Sequence, residues 1–186
     1  MRQPPSSLEK PRADAAVREH ILTEAARLFR ENGYERTTVR QIADACGLLP
    51  GSLHYRYPAK EAILLDMMKG AIEQTIRALI DATGPVADPL QKLRAAMQTH
   101  IRVLLSGNDM FYVLLFEWRS LSGEARAAMI AERDRYERYW ATLLDTLKAQ
   151  GYIRPEVDLH MLRLIGLGAF THKSVSKATF RPRIGL

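Results

Sequence analysis

The sequence predicts an all-α protein, with a small N-terminal three-helix domain followed by a larger helical domain. Apolar residues recur at spacings of three and four along most of the 186 residues, and no convincing alternation with a period of two appears. Glycine and proline interrupt this pattern, which predicts short connections between helices. With 47% hydrophobic and 26% charged residues, the chain has enough apolar side chains to bury a sizeable core.

The first helix is expected to follow a flexible arm. Residues 1–12 contain three prolines and two serines, a composition typical of irregular structure. A helical pattern starts near Asp14, and Ile21 and Ala25 mark its apolar face. Gly33 predicts its C-terminal end, because glycine is favoured just past the last turn of a helix.

Two short helices joined by a turn come next. Thr38 with Gln41 three residues later forms a capping-box pattern, which predicts the start of a two-turn helix that ends at Gly47. The following helix starts near Pro50, since the first helical N–H needs no partner, and it must end before Pro58. A short helix, a glycine turn and a second short helix predict a helix-turn-helix.

Longer helical patterns follow from residue 60 onward. Their expected bounds are 60–81, Pro89 to Leu105, Met110 to Ser120, Ser122 to Gln150, and Asp158 onward. The sequence therefore divides into an arm (1–12), a helix-turn-helix domain (13–59), a second helical domain (60–170) and a basic tail (171–186).

Charge and composition narrow the class of protein. The net charge is +6 and the basic excess lies at the two ends of the chain, which favours a polyanionic partner, although a solvated basic surface explains the charge as well. Cys46 is the single cysteine, so no internal disulfide forms. Without an apolar leader or a run of 18 apolar residues, we expect a cytoplasmic protein with no membrane partner. No metal-ligand spacing, glycine-rich phosphate loop or nucleophile elbow appears, so we expect no metal, no cofactor and no enzymatic activity.

The helix-turn-helix pattern predicts a DNA-contacting surface. Leu48 and Leu53 can anchor the turn and the second helix to the core, which leaves the N-terminal half of that helix free to enter a major groove. Gly51 allows a close approach of the backbone to DNA. The candidate DNA-binding residues are Thr38, Arg40, Gly51, Ser52, His54, Tyr55, Arg56 and Lys60.

Residues from about Ala16 to Leu65 resemble the DNA-binding domain of the TetR family of bacterial transcriptional repressors. The matching stretches are "ILTEAARLFRENGYERTTVRQIADACGL" and "PGSLHYRYPAKEAIL". The resemblance implies that the helix-turn-helix domain is followed by a helical domain for ligand binding and dimerisation. It also implies a role for each matching residue: Thr38 and Lys60 at phosphates, Ser52, His54 and Tyr55 at bases and backbone, Arg56 facing phosphate, and Tyr57 in the core.

Three residues depart from the family pattern near the recognition helix. Leu49 stands where a polar N-cap is common, and Pro50 stands where a lysine often contacts phosphate. Ala59 replaces a usual Ser or Asn cap before Lys60, a change worth roughly 1 kcal/mol of local stability.

The second domain carries a candidate cavity for an effector. The residues expected to bind the ligand are Met97, His100, Ile101, Phe111, Tyr112, Phe116 and Arg119, with Arg102 and Glu117 as further polar candidates. A cavity of this kind is mostly apolar with a few polar groups. Plain bundle core is the alternative for the apolar candidates, and a surface position or a satisfied buried polar group is the alternative for the polar ones. Residues 132–170 loosely resemble TetR-like regulators that sense acyl-CoA, for which Arg119, Arg126 and Arg133 are candidate partners. The expected inducer is a small molecule, either apolar or aromatic, or acyl-CoA-like.

The C-terminal part is expected to form a homodimer interface. The resemblance implies that the last two helices make a four-helix bundle between subunits, and the first of them offers Leu159, Leu162, Ile165 and Ala169 as one face. The second helix is not evident in "THKSVSKATFRPRIGL". A short, a truncated and a frame-altered C-terminus all fit this pattern.

Together these features predict a ligand-responsive transcriptional regulator. We expect a repressor that binds a palindromic operator as a dimer and is released by a small-molecule inducer, with the helix over 60–81 as the moving element. The alternative is a helical protein-interaction module without sequence-specific DNA binding. The inducer, the operator and the choice between repression and activation stay open.

Overall fold

A computed structural model describes residues 9–168, and within that range the chain is helical with no β-strand, as the sequence predicts. The helices are α1 Glu9–Asn32, α2 Val39–Ala45, α3 Pro50–Arg56, α4 Lys60–Thr83, α5 Pro89–Leu104, α6 Asp109–Phe116 and α7 Gly123–Ala149. A final helix, α8, covers residues 159–168. The predicted basic tail, Ala169 and most of the predicted arm lie outside the described residues.

The start of α1 differs from the expected boundary. The helix begins at Glu9, so it overlaps the end of the segment predicted as an arm. Pro11 is compatible with this start, because N–H groups in the first turn have no acceptor within the helix. At the other end, Gly33 adopts a φ of +83°, the left-handed conformation that ends helices and favours glycine.

The short helices begin as their sequences predict. The Gln41 N–H donates to Thr38 Oγ1 at 3.2 Å, and the Thr38 N–H donates to Gln41 Oε1 at 2.8 Å, so both bonds of the capping box are present. Leu49 and Ala59 precede α3 and α4 without a side-chain cap. These two starts therefore lack the stabilisation that a polar cap contributes.

Helix α6 is shorter than predicted. It ends at Phe116, and a separate 3₁₀ turn, Trp118–Ser120, follows it. The Ser120 N–H donates to the Glu117 carbonyl at 2.9 Å, so the chain tightens into i→i+3 bonds where we expected a continuous helix.

One cluster of buried side chains runs through both predicted domains. It joins Phe29 of α1, Ile42 of α2 and Leu53 of α3 to Met67 of α4 and Val113 of α6, and each of the five is fully buried. A smaller cluster lies farther along the bundle and contains Leu79, Ala96, Trp140 and Leu143. The first cluster therefore crosses the domain boundary expected near residue 60. None of the helices in residues 9–168 combines the length and apolar character that a membrane span requires.

Candidate DNA-contact surface and ligand cavity

Helix α3 separates anchoring side chains from exposed ones. Leu53 is fully buried and Tyr57, just after the helix, is 8% exposed. Ser52, His54 and Tyr55 are exposed, and 92% of Tyr55 faces solvent. An aromatic ring contributes little to folding when it stands in water, so this exposed face is available for contact with another molecule.

A polar brace fixes the end of α3 against α1 and α4. The Tyr57 hydroxyl donates to Asp66 Oδ2 at 2.6 Å, and Arg18 Nε donates to the same oxygen at 2.8 Å. Burial acts to raise the pKa of Asp66, but these hydrogen bonds from Arg18 and Tyr57 outweigh it and hold that pKa below its ordinary value. Burial and the bond to Asp66 raise the pKa of Tyr57. Tyr57 thus belongs to the core, as the resemblance implies, and its hydroxyl has an internal partner.

The candidates on α2 and at the start of α3 are open to solvent. Thr38, Arg40 and Gly51 are exposed, and a Cβ added at Gly51 would meet no atom within 4 Å. Packing within the chain therefore does not require a glycine at this position. The predicted use of Gly51 in a close approach to DNA stays a prediction.

Two predicted phosphate contacts already have internal partners. Lys60 Nζ donates to the carbonyls of Tyr34 and Glu35 at 2.7 and 3.2 Å, and it lies 4.1 Å from the centroid of the Tyr34 ring. Arg56 Nη2 donates to Asp14 Oδ1 at 2.7 Å. A phosphate would therefore have to use the remaining donor of Lys60 and compete with Asp14 for Arg56.

Polar contacts attach the starts of α6 and α7 to helices that precede them. Glu61 Oε1 accepts hydrogen bonds from the Ser122 N–H at 2.6 Å and from the Ser122 hydroxyl at 2.9 Å. Ser122 is the N-cap of α7, so this carboxylate lies at the positive end of that helix. On α1, Arg30 pairs with Asp109 at the start of α6. Helices α6 and α7 are thereby attached directly to α1 and α4.

A cavity of about 450 Å³ lies among α4, α5, α6, α7 and α8. Most of its wall is apolar, and the apolar members include Ile72, Val103, Leu104, Phe111, Leu115, Met129 and Leu164. Its polar members are Thr75, His100, Arg126, Arg133, Tyr136, Glu137 and Arg163. An apolar pocket with a few polar groups is typical of a small-molecule site.

The cavity includes only part of the predicted ligand set. His100 and Phe111 line it, whereas Met97, Ile101, Tyr112, Phe116 and Arg119 do not, nor do Arg102 and Glu117. The orientation of α6 explains two of the differences. Tyr112 and Phe116 are four residues apart and share a helix face, with ring centroids 4.5 Å apart, and Tyr112 lies 5.2 Å from the guanidinium of Arg30 on α1.

Two of the other excluded residues have partners elsewhere. Met97 packs against the cluster that contains Leu79 and Trp140. Arg119 is exposed, and its guanidinium lies 5.7 Å from the Trp118 ring. An apolar pattern predicts burial, but these contacts show that it does not predict which cavity or cluster a side chain joins.

Helix α7 contributes several of the cavity side chains that sequence reasoning missed. Met129, Tyr136 and Glu137 line the cavity together with Arg126 and Arg133, for which the sequence suggests a role only as partners of a CoA group. Their spacing of three and four places them on one face of the helix. This mixed stripe of apolar and charged residues is the signal that would have identified the cavity wall.

One of the buried polar groups of the cavity is a histidine. His100 is 7% exposed, and its Nδ1 lies 3.0 Å from the Tyr136 hydroxyl. Burial lowers the pKa of His100 to about 4, so the ring is neutral at pH 7. Burial also raises the pKa of Tyr136. The interior thus offers neutral hydrogen-bonding groups and no charge.

The charged groups of the cavity lie nearer its rim. Glu137 Oε2 is 3.2 Å from Arg163 Nη2, and Glu137 Oε1 is 3.6 Å from Arg133 Nε. The third arginine, Arg126, has its guanidinium 5.3 Å from the centroid of the Trp118 ring. The rim therefore carries three guanidinium groups and one carboxylate.

Helix α8 has an exposed apolar face beside the cavity wall. Leu162 is 38% exposed and Ile165 is 65% exposed, while Leu159 is half-buried. Met161 is 50% exposed as well. Leu162 and Ile165, two of the predicted dimer contacts, thus lie on an exposed apolar surface. Their contact with a second subunit stays a prediction.

Comparison with known families finds two matching segments of the chain. Residues 21–67 match the family model described as bacterial regulatory proteins of the tetR family. Residues 86–174 match the one described as the tetracyclin repressor-like C-terminal domain. The two matching segments follow one another in the expected order, with the DNA-binding domain first and the C-terminal domain second.

Individual relatives support the same assignment. The chain is 27% identical over 146 residues to the HTH-type transcriptional repressor KstR2 of Mycobacterium tuberculosis H37Rv, covering 78% of this chain and 73% of that protein. The structure of AibR in complex with isovaleryl coenzyme A and operator DNA has a TM-score of 0.73 and 27% identity, covering 91% and 90% of the two chains. The TetR family regulator PfmR of Thermus thermophilus has a TM-score of 0.72 and 34% identity, covering 89% and 87%. With its helix-turn-helix, its helical second domain and these matches, the chain belongs to the TetR family of bacterial transcriptional regulators.

Proposed function

We propose that the protein is a repressor that binds a palindromic operator as a homodimer and is released by a small-molecule inducer. The observation that carries this proposal is the division of α3. Leu53 and Tyr57 fix the helix to the core, while Ser52, His54 and Tyr55 stand exposed beside one another. A helix held in this way can enter a major groove without a change in the fold.

The contacts to DNA follow from these positions. Ser52, His54 and Tyr55 touch base edges and the nearby backbone, and Arg40 contacts phosphate from α2. Thr38 offers its hydroxyl at the N-terminus of α2. Gly51, Arg56 and Lys60 complete the proposed surface. Lys60 would contact phosphate through the N–H that does not bond to the carbonyls of Tyr34 and Glu35.

Dimerisation uses the exposed face of α8. Leu159, Leu162 and Ile165 lie on that helix, and the large exposed fraction of Ile165 supports a partner surface there. A two-fold dimer places two copies of α3 roughly 34–36 Å apart, about one turn of DNA. Because operator DNA lies in the bacterial cytoplasm, the proposal implies a cytoplasmic protein.

The inducer occupies the cavity and acts on α4 and α6. Ile72 and Thr75 of α4 line the cavity together with Phe111 of α6, and α6 is joined to α1 through Arg30 and Asp109. A ligand that shifts these helices alters the spacing of the two copies of α3. The cavity suits an apolar, aromatic or acyl-CoA-like molecule, and AibR, whose structure contains isovaleryl coenzyme A, is a relative that supports the acyl-CoA-like option.

Titration against DNA tests the function. The full chain is titrated against its own upstream intergenic DNA and against unrelated DNA at two salt concentrations. We expect specific binding to a roughly palindromic site, weakened by salt as phosphate contacts release counterions. Equal weak binding to both DNAs would instead support the helical interaction module without sequence-specific DNA binding.

Linkage between the two sites gives a second test. If the inducer lowers operator affinity by some factor, operator DNA must lower inducer affinity by the same factor. Measuring inducer affinity with and without operator DNA checks this equality. An inducer affinity that is unaffected by DNA would exclude the release mechanism while leaving DNA binding intact.

A further inference from the structure

The charges around the cavity do not balance. Arg126, Arg133 and Arg163 line it together with a single carboxylate, that of Glu137. The neutral ring of His100 adds no charge at pH 7. Within residues 12–168 the lining therefore has two positive charges in excess. A concave site with an excess of one sign attracts a ligand of the opposite sign.

Glu137 is a carboxylate that pairs with two of these arginines. It pairs with Arg163 at 3.2 Å and with Arg133 at 3.6 Å, so its two oxygens face two guanidinium groups. The longer distance is an ion pair rather than a hydrogen bond. The side chain of Glu137 is 32% exposed and that of Arg133 is 54% exposed, so this pair is partly in contact with solvent.

Arg163 is the most enclosed of the paired groups at the rim. Its side chain is 15% exposed, and its Nη2 also lies 3.1 Å from His160 Nδ1. Guanidinium groups bind carboxylates and phosphates through paired donors, and partial desolvation strengthens such contacts. The enclosed position of Arg163 makes it the principal anchor for an anion, with Arg133 as the second.

We propose that this effector site binds an amphiphilic anion, and that Glu137 is a built-in competitor which the anionic group displaces from Arg133 and Arg163. The apolar body of the ligand lies against Ile72 and Leu104. The His100 and Tyr136 pair donates or accepts a hydrogen bond at a neutral oxygen of the ligand. Because Arg163 belongs to α8 and Glu137 to α7, the ligand replaces a direct contact between these helices. That the site is an effector site rests on the proposed function. Binding of the anion does not, since it can be measured without DNA.

Three matched probes test the preference for an anion. Octanoate, 1-octanol and octanoyl-CoA share an apolar chain, and they differ in whether the head is a carboxylate, a hydroxyl or a phosphate-bearing group. By titration calorimetry on the full chain, we expect at least one of the two anions to bind about tenfold more tightly than 1-octanol. The stronger of the two identifies the source of the negative charge. Binding of 1-octanol as tight as that of both anions, or no binding by any probe, would overturn the inference.

Substitution of Glu137 tests its role as a competitor. Glu137→Gln removes the internal carboxylate, so the affinity for the better anion should rise by about fivefold while that for 1-octanol stays unchanged. Glu132→Gln is the matched control, because Glu132 lies on the same helix, pairs with Arg135 and does not line the cavity. An anion affinity that is unchanged or lower in Glu137→Gln would contradict the role.

The companion variant Arg163→Gln removes the proposed anchor. We expect anion affinity to fall by about fivefold or more, again with no change for 1-octanol. Operator binding is measured on the same preparations. Specific operator binding without any anion preference would overturn this inference and leave the proposed function intact. Preferential anion binding without operator binding would support this inference and overturn the proposed function.

Discussion

The two domains direct their functional side chains in opposite ways. In the helix-turn-helix domain, Tyr55 and its neighbours point outward, and buried residues such as Leu53 only hold them in place. In the second domain, His100 and Tyr136 point inward to a space that protein atoms leave empty. The exposed face of α3 depends on complete packing beneath it, whereas the cavity of the second domain depends on packing that leaves a space. The same kind of substitution should therefore have different consequences in the two domains.

Truncating one leucine in each domain should give the largest contrast. Leu53→Ala removes a fully buried side chain and should lower the free energy of unfolding by about 2–5 kcal/mol. Leu104→Ala removes a half-buried side chain that already borders the cavity, so its cost should be about 1 kcal/mol. Urea unfolding followed by circular dichroism measures both. Equal costs would mean that the cavity wall is packed as tightly as the cluster around Leu53.

The buried His100 of the second domain should make the free energy of unfolding depend on pH. The pKa of His100 is lowered to about 4 in the folded protein, whereas it is about 6.5 when unfolded. The unfolded state therefore binds the proton first, and the free energy of unfolding falls as pH falls from about 6.5 toward 4. Between pH 7 and pH 5 the loss should be about 2 kcal/mol.

His100→Asn checks this assignment. Asparagine cannot take up a proton in this range, so the variant should lose that part of the dependence even if its stability at pH 7 is lower. Urea unfolding at pH 7 and at pH 5 gives the comparison. A pH dependence as large in His100→Asn as in the unaltered protein would assign it to other groups.

On the outward-facing side, Tyr55→Ala should separate function from folding. Because Tyr55 is 92% exposed, the free energy of unfolding should change by no more than about 0.5 kcal/mol. Specific operator affinity should fall by at least about tenfold, measured by fluorescence anisotropy at fixed salt. Tyr152→Ala, at a tyrosine that is 49% exposed after α7, is the matched control and should bind normally. Retained affinity in Tyr55→Ala would show that the contact surface is assigned incorrectly.

The smallest effect concerns the contact between the start of α4 and the start of α7. Glu61→Gln weakens the acceptor of the Ser122 N–H and hydroxyl and removes a negative charge from the N-terminus of α7, which should cost about 1 kcal/mol. Glu124→Gln removes an exposed charge from the first turn of the same helix and should cost less than about 0.5 kcal/mol. Thermal unfolding of both variants ranks the two costs. A larger loss in Glu124→Gln would remove the special role of Glu61.

The sequence predicts the first domain well because its signals are local. The Thr38 capping box and the proline at the start of α3 act on atoms three or four residues away. The alternation of Leu53 and Tyr57 with exposed neighbours likewise depends only on helix periodicity. Side-chain partners are less local, and the turn of Lys60 toward Tyr34 and Glu35 requires the tertiary position of α4.

The cavity could be predicted only in part for the same reason. The apolar pattern of α6 contains Phe111 and Tyr112 side by side, but only the packing of α6 on α1 decides that Phe111 faces the cavity and Tyr112 does not. The sequence assigns no role to Arg163, because the apolar pattern of α8 indicates only a dimerisation helix. Its contribution to the rim depends on Glu137, which lies 26 residues earlier.

The start of α4 bears on how hybrid regulators could be built from this protein. Lys60 bonds to the carbonyls of Tyr34 and Glu35 on one side, and the adjacent Glu61 holds Ser122 on the other. A chimera cut at residue 59 would separate Lys60 from Tyr34 and Glu35 and would also divide the continuous core. Exchange of DNA specificity should therefore replace only the exposed residues of α3 and leave α1 and α4 as a matched pair. The exposed residues of α3 can thus be exchanged separately, whereas the buried cluster that joins α1 to α4 and α6 has to be kept as one unit.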